Sequence, residues 1–406
     1  MAKKTKGQEL QEQLTWAFPH IGKDKPEQAE KAFKYCEGYK EFLDAGKTER
    51  ECVKEAVKML KKAGYKPFDS GESYEPGDKV YYVNRGKSLI ATTFGKKPLD
   101  QGLRINGAHI DSPRLDLKPN PLYEKEDIAF FKTHYYGGIR KYQWGTIPLA
   151  MHGVVVKKNG ETVEVSIGED EKEPVFCVTD LLPHLAARQN ERPLKDGLKG
   201  EELNIVVGSL PFQDEEVKEP VKLMALSLLN EKYGITEKDF FRAEIEMVPA
   251  VKARDVGFDT SMIGAYGQDD RVCAYTALTA EIDAKKPAHT TVTILADKEE
   301  IGSTGNTGLN SDFVLHYHRR FGGTGRCQPQ GSIEKIPVPF FGCECCVRPQ
   351  LPGCVRGTQH KLYQQRLCAD KVYGSQGKVR LQRRQRRDHG KGHCHYGGGR
   401  RVLAGR

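Results

Sequence analysis

The run HTTVTILADKEEIGSTGNTG, His289 to Gly308, constrains the fold more than any other stretch of the chain. Its first half carries Val292, Ile294 and Leu295 among β-branched neighbours, a pattern that predicts a buried strand. Two adjacent glutamates, Glu299 and Glu300, follow at once and lead into a glycine-bearing loop. On an exposed helix such a pair is ordinary surface. At the end of a core strand it faces a cleft, where two like charges side by side need a reason. One glutamate there can ligate a metal while the other takes a proton from water. The expected fold is therefore α/β, a central sheet flanked by helices with its chemistry at the strand ends.

The remaining elements fit around that strand. In TERECVKEAVKMLKKAGYKP, Thr48 and Glu51 are spaced as a capping box. Val53, Ala56, Val57 and Leu60 then recur at helical spacing as one apolar stripe. Gly64 suits the left-handed helix end, and Pro67 prevents a restart. KVYYVNRGKSLIATTFG predicts a hairpin turning near Asn84-Arg85-Gly86, and LRINGAHIDSP a strand that leaves the core at His109. From about residue 116 to 249 the texture becomes β-rich, with a hairpin around Asn159-Gly160 and a short helix in VTDLLPHLAARQ. Val272 to Ile282 predicts an amphipathic helix. The expected organisation is one domain in two parts, 1–115 and 250–317. A β-rich domain, 116–249, is inserted between them, and a basic tail covers 318–406.

Two further stretches carry candidate chemistry. In AHIDSP, His109 and Asp111 lie two apart on an extended strand, so both side chains point to one face. A neutral imidazole is a zinc ligand whose tautomer a nearby carboxylate can fix. Alone, the pair is better explained as a strand-end hydrogen bond. In GQDDRV, Asp269 and Asp270 precede a helix. They suit capping of its positive end, or one carboxylate bridging two metals while Arg271 neutralises the other.

Taken in order, H-x-D, D-D-R and E-E-I-G-S resemble the aspartyl aminopeptidase family of dizinc metallopeptidases, of the bacterial type. KTHYYGGIRKYQWGTIPLAMHGVV, LLPHLAAR and GSTGNTG are similar to segments of the same family, and the likeness covers about residues 1–317. The resemblance implies a zinc-aminopeptidase fold and two Zn(2+) ions per subunit. It implies that His109, Asp269 and Glu300 are metal ligands, with Asp269 bridging. It makes Asp111 the partner that orients His109 and Glu299 the general base. Peptides are the implied substrates and a large homo-oligomer the implied assembly, in which His184 approaches a neighbouring subunit's site.

The likeness stops near residue 317. The family's later Ser-x-Asp and Ser-Met-His-Ser ligand motifs are missing, so each zinc lacks one protein ligand. Residues 318–406 hold 19 Lys and Arg against 4 Asp and Glu, which leaves 45 basic and 51 acidic residues in 1–317. Hence the net charge of +9 belongs to the tail. Residues 381–392, LQRRQRRDHGKG, can be spelled so that a one-nucleotide shift reads SNDASAETMAKV, an acidic helix start. The same shift turns HRRFGG from His318 into IDVSAA, and FFGC, Phe340 to Cys343, into SSDV, which restores Ser-x-Asp. The tail thus reads as irregular, out-of-frame translation.

Charge and composition narrow the function classes. CECC and HCH in the tail lack the paired spacing of structural zinc sites, and aromatic residues are not interleaved for base stacking. Nucleic acid is expected to bind the tail only non-specifically. No apolar run approaches the roughly 18 residues of a membrane span. With Cys36, Cys52, Cys177 and Cys273 scattered over residues 1–317, the expectation is a cytoplasmic protein without a membrane partner. Two other readings are a non-catalytic oligomer subunit and an RNA-binding protein acting through its basic tail.

Overall fold

The computed structural model describes residues 4–16 and 21–322. Beyond residue 322 the tail, with its expected irregularity, reading frame and contact with nucleic acid, lies outside the described residues.

Four helices come first: α1 (Lys6–Leu14), α2 (Ile21–Asp24), α3 (Pro26–Ala45) and α4 (Glu49–Lys62). The α4 start is the expected capping box. The Glu51 amide donates to Thr48 Oγ1 at 3.3 Å, and the Thr48 amide donates to Glu51 Oε2 at 2.9 Å. Val53, Ala56 and Leu60 are buried on its inner face, and Gly64 ends it at φ +86°.

The first sheet contains β1 (Lys66–Pro67), β2 (Lys79–Asn84), β3 (Ser88–Thr93), β4 (Arg104–His109) and, from far along the chain, β14 (Thr291–Ala296). Its order is β1-β2-β3-β14-β4. Arg85 and Gly86 take φ +54° and +69° at the β2–β3 hairpin, both left-handed, as a tight turn between twisted strands demands. β14 runs antiparallel to β3 and parallel to β4.

Leu89, Ala91 and Leu295 face the helices on one side of this sheet, where α3, α4 and α7 (Gln268–Asp283) supply Phe42, Leu60, Tyr275 and Leu278. Ile90, Val292 and Ile294 face the other side, covered by Phe313 and Tyr317 of α8 (Phe313–Gly322). The period-2 alternation of β14 thus serves two cores. The helix α8 runs past His318 to Gly322, further than the tail boundary read from sequence. α7 buries Ala274, Tyr275 and Leu278, and Val272, Cys273 and Ile282 also pack on the core. It is more enclosed than the amphipathic pattern implies.

The second sheet is seven-stranded, in the order β8-β7-β11-β5-β6-β10-β9. It comprises β5 (Arg114–Lys125), β6 (Ile128–Tyr136), β7 (Leu149–Val156), β8 (Thr162–Ile167), β9 (Cys177–Val178), β10 (Ile205–Gly208) and β11 (Ala243–Pro249). Its core includes Leu115, Phe131, Trp144, Ile205, Phe240 and Met247, with Val221, Ala225 and Leu229 from α6 (Pro220–Tyr233). β12 (Arg254–Val256) and β13 (Met262–Gly264) form a small hairpin. In VTDLLPHLAARQ only α5 (Ala187–Asn190) is helical. Pro183 lacks the amide a longer helix needs and disfavours helical backbone at Leu182. Among the described residues, no helix is long and apolar enough to cross a membrane.

Charged side chains join the second sheet to α4. Arg114 reaches Glu246 at 3.2 Å, Asp116 at 2.8 Å and Glu49 at 3.5 Å, and Lys87 meets Glu49 at 3.0 Å. Nearby, His152 of β7 lies between Glu51 and Glu169, at 2.8 and 3.1 Å. Burial opposes charge on His152, but its bonds to Glu169 and Glu51 prevail and its pKa is pushed up to about 9 from the ordinary 6.5. Because the folded value lies above the unfolded one, this stabilisation is complete below about pH 6.5 and is lost as pH rises through about 9. The shift corresponds to at most ~3 kcal/mol. Denaturant midpoints measured over that range should fall for the wild type and fall less for His152→Gln. Equal slopes would show that His152 does not carry the effect.

Candidate metal centre

The parallel pairing of β4 and β14 builds the site. His109 and Ala296 are register partners at the ends of the two strands, and the Ile110 amide donates to the Ala296 carbonyl at 2.9 Å. The segments that follow must therefore leave the sheet side by side. One carries His109 and Asp111, the other Glu299 and Glu300. This is the crevice beyond the carboxyl ends of strands where α/β proteins bind ligands.

The start of α7 closes the third side. Gly267 precedes it at φ +76°, the Asp269–Asp270 peptide is cis, and both aspartates depart from helical backbone. The Ser112 hydroxyl donates to the Asp269 carbonyl at 3.2 Å. Arg271 Nε donates to the Ile110 carbonyl at 3.1 Å, and its Nη2 to the Lys47 carbonyl at 3.0 Å. Its guanidinium is buried and ties α7 to the residue between His109 and Asp111. It lies so close to Gly267 that a Cβ there would stand 2.2 Å from Arg271 Nη1.

His109 is 5% exposed. With the proton on Nδ1, it donates to the Asp111 carbonyl at 2.9 Å, while the nearer Asp111 carboxylate oxygen lies at 3.4 Å. The main chain of Asp111 thus offers the closer acceptor. Nε2 faces Asp269 Oδ1 at 3.4 Å and Glu299 Oε2 at 3.5 Å. Burial disfavours charge on this imidazole, but hydrogen bonds to Asp111 and Asp269 outweigh it and raise its pKa well above the ordinary value.

The Asp111 carboxylate is fully buried and has its own task. Oδ1 accepts from the Glu299 amide at 3.1 Å, and Oδ2 from the Glu300 amide at 3.1 Å and from the Tyr136 hydroxyl at 2.8 Å. Burial alone would raise its pKa, yet the His109 ring, the Tyr136 hydroxyl and the Glu300 amide hold it below the usual carboxylate value. Asp111 therefore brackets the short turn Glu299–Ile301, which left-handed Lys298 (φ +69°) and Gly302 (φ +91°) flank.

Donor atoms of His109, Asp269 and Glu300 all lie within 4.8 Å of one another. Residues 42–325 match the family model described as Aminopeptidase I zinc metalloprotease (M18). The chain belongs to the M18 aminopeptidase family. A probable M18 family aminopeptidase 1 of Clostridium acetobutylicum is 54% identical over 290 residues, 70% of this chain and 62% of that protein. The chain therefore spans about three fifths of that M18 relative's length. Among solved structures, the M18 aminopeptidase of Thermotoga maritima has a TM-score of 0.72 at 46% identity, over 78% of this chain and 69% of its own. Aminopeptidase I of Clostridium acetobutylicum has a TM-score of 0.71 at 48% identity, over 78% and 70%. The Saccharomyces cerevisiae mApe1 dodecamer, 20% identical, shares the fold at a TM-score of 0.56 over 73% and 67%.

For an M18 chain, the donor set fits the family's metal. One imidazole nitrogen and carboxylate oxygens are ordinary zinc ligands. His184 is not brought into this group. It lies exposed in the turn before α5, beside exposed Leu182 and Leu185. Tyr136 was missed by sequence reasoning, although KTHYYGGIRKY drew notice as a segment. The available signal was an aromatic residue set directly before Gly137-Gly138 at a strand end.

Proposed function

We propose that the chain is built as a zinc aminopeptidase of the aspartyl aminopeptidase type, releasing the N-terminal residue of peptides. The observation that carries this reading is the convergence of His109, Asp269 and Glu300 donors within 4.8 Å, with the Glu299 carboxylate beside them. These three residues would hold zinc, and Asp269 would bridge a pair of ions. Bound zinc supplies a Lewis acid for the scissile carbonyl and makes water a nucleophile near neutral pH. Glu299 Oε2 takes a proton from the attacking water and later returns it to the leaving amine. Asp111 keeps Glu299 and Glu300 in register through their amides. Asp269 and Glu300, both acidic, favour a substrate with a free, positively charged amino terminus.

The segment 116–249 serves as the oligomerisation domain, inserted into a catalytic domain formed by 1–115 and 250–317. Leu181, Leu182 and Leu185, exposed by 54%, 66% and 69% around His184, support a subunit contact there, with His184 directed to a neighbour's site. Zinc, peptide hydrolysis and the scattered thiols of residues 1–317 accord with a cytoplasmic protein. The tail from about His318 is out-of-frame translation. Its charge attracts nucleic acid only non-specifically, and the chain as it stands lacks one ligand for each zinc.

The test compares the 406-residue chain with the protein whose reading frame is restored after the codon for Tyr317. Zinc content and release of N-terminal residues from short peptides are measured on both. The restored protein should bind two zinc ions and cleave, and the 406-residue chain should bind less and cleave far more slowly. Full activity of the latter overturns the out-of-frame reading. A restored protein that neither binds zinc nor cleaves overturns the aminopeptidase reading. Zinc-free but intact oligomers would assign the chain to a structural subunit.

A further inference from the structure

The second sheet reaches the metal centre through the end of β6. Tyr136 ends β6, is 7% exposed, and sends its hydroxyl to Asp111 Oδ2 at 2.8 Å. The Arg114 guanidinium lies over its ring at 3.8 Å from the centroid, fixing the ring from behind. The next residue, Gly137, has φ +75°, and a Cβ built there would stand 3.1 Å from both Cβ and Oε2 of Glu300. Neither contact belongs to the core of the second sheet, which is formed by Leu115, Phe131, Trp144 and their neighbours. Both contacts touch the segment that bears the two glutamates, or the carboxylate that brackets it.

We propose that Tyr136 and Gly137 are positioning residues of the metal centre, the phenol fixing Asp111 and the bare α-carbon leaving the space that Glu300 fills. The inference rests on the metal-centre reading above. Three donors on the two oxygens of Asp111 determine its rotamer. Without the phenol, Oδ2 keeps only the Glu300 amide among these donors, and the carboxylate rests on the two amides of the turn it is meant to hold and on the His109 ring at 3.4 Å. The turn and its carboxylates then sample more orientations, and ion binding must reorder them at an entropic cost. Partners one step removed from a metal ligand typically change affinity about 10–100-fold when lost. At position 137 any side chain meets both a strained backbone and the Glu300 carboxylate, so Gly137→Ala should act in the same direction.

The test is a zinc titration of the full 406-residue chain by competition with a chromophoric chelator, at one pH. Tyr136→Phe should bind zinc about 10–100-fold more weakly than wild type, with a zinc-free melting temperature close to the parent's. Thr133→Val serves as the control, since it removes a buried hydroxyl bond, to the Leu203 carbonyl, from the same strand. Its zinc affinity should equal the parent's. Wild-type zinc binding with undiminished affinity in Tyr136→Phe overturns the inference alone. So does an equal loss in Thr133→Val, which would mean that any loosening of β6 weakens the site. If the 406-residue chain binds no zinc, the same three proteins are compared in the frame-restored form, where no zinc affinity removes the metal-centre reading and this inference with it.

Discussion

Glu299→Gln in the frame-restored protein is expected to lower kcat/KM for release of N-terminal residues by about 10²–10⁴-fold, the range for loss of a positioned general base. The substitution keeps the volume and the main-chain bond from residue 299 to Asp111 Oδ1, so the turn should stay in register. It removes only the ability to accept a proton at the oxygen that stands 3.5 Å from His109 Nε2. Zinc content should match the parent's, since the converging donor set consists of His109, Asp269 and Glu300. Steady-state kinetics on a short peptide, paired with elemental analysis, separates the two effects. Parent-level activity would mean that the base lies elsewhere. Lost zinc would make residue 299 a ligand instead.

His109→Ala should weaken zinc binding by more than about 100-fold, beyond the loss typical of changes one step away from the ligands. The imidazole is the only nitrogen donor in the group, and its removal leaves carboxylates facing one another with no ring between them. A pH signature accompanies the loss. In the zinc-free chain, hydrogen bonds to Asp111 and Asp269 overcome burial and hold the ring protonated well above its ordinary pKa. Zinc must displace that proton, so wild-type affinity should rise with pH between roughly 6 and 8. Competition titrations across that range give both quantities. In His109→Ala the ring's share of the slope should vanish. A variant that binds as tightly as the parent would remove His109 from the ligand set.

Local structure was legible wherever one short segment contains its own cause. The α4 capping box needs only Thr48 and Glu51, the β2–β3 turn needs Arg85-Gly86, and the β14 strand needs a run of apolar β-branched residues. Where the cause lies in a distant segment, the partner was not legible. Arg271 donates to the carbonyls of Ile110 and Lys47, which no pattern near GQDDRV announces. The His109 ring and the Asp111 carboxylate, expected on one extended face, lie 3.4 Å apart. That the same carboxylate also accepts from the Glu299 and Glu300 amides, nearly 190 positions on, is not written in the spacing of AHIDSP.

By itself the sequence determined the chemical inventory: an imidazole, paired aspartates and paired glutamates, each at the edge of an element whose ends its own residues specify. Hydrogen bonding to near neighbours and side-chain periodicity act over a few residues, so they can be read directly from one stretch. That His109 and Glu300, 191 positions apart, bring donor atoms within 4.8 Å of each other was decided only by tertiary structure. β14 pairs parallel to β4 in a register that ends both strands together, and the buried Arg271 draws α7 against them. Such pairing is set by the packing of two sheet faces against helices drawn from both ends of the chain. No local pattern encodes it, and the reach of Tyr136 from the second sheet to Asp111 follows from the same long-range packing.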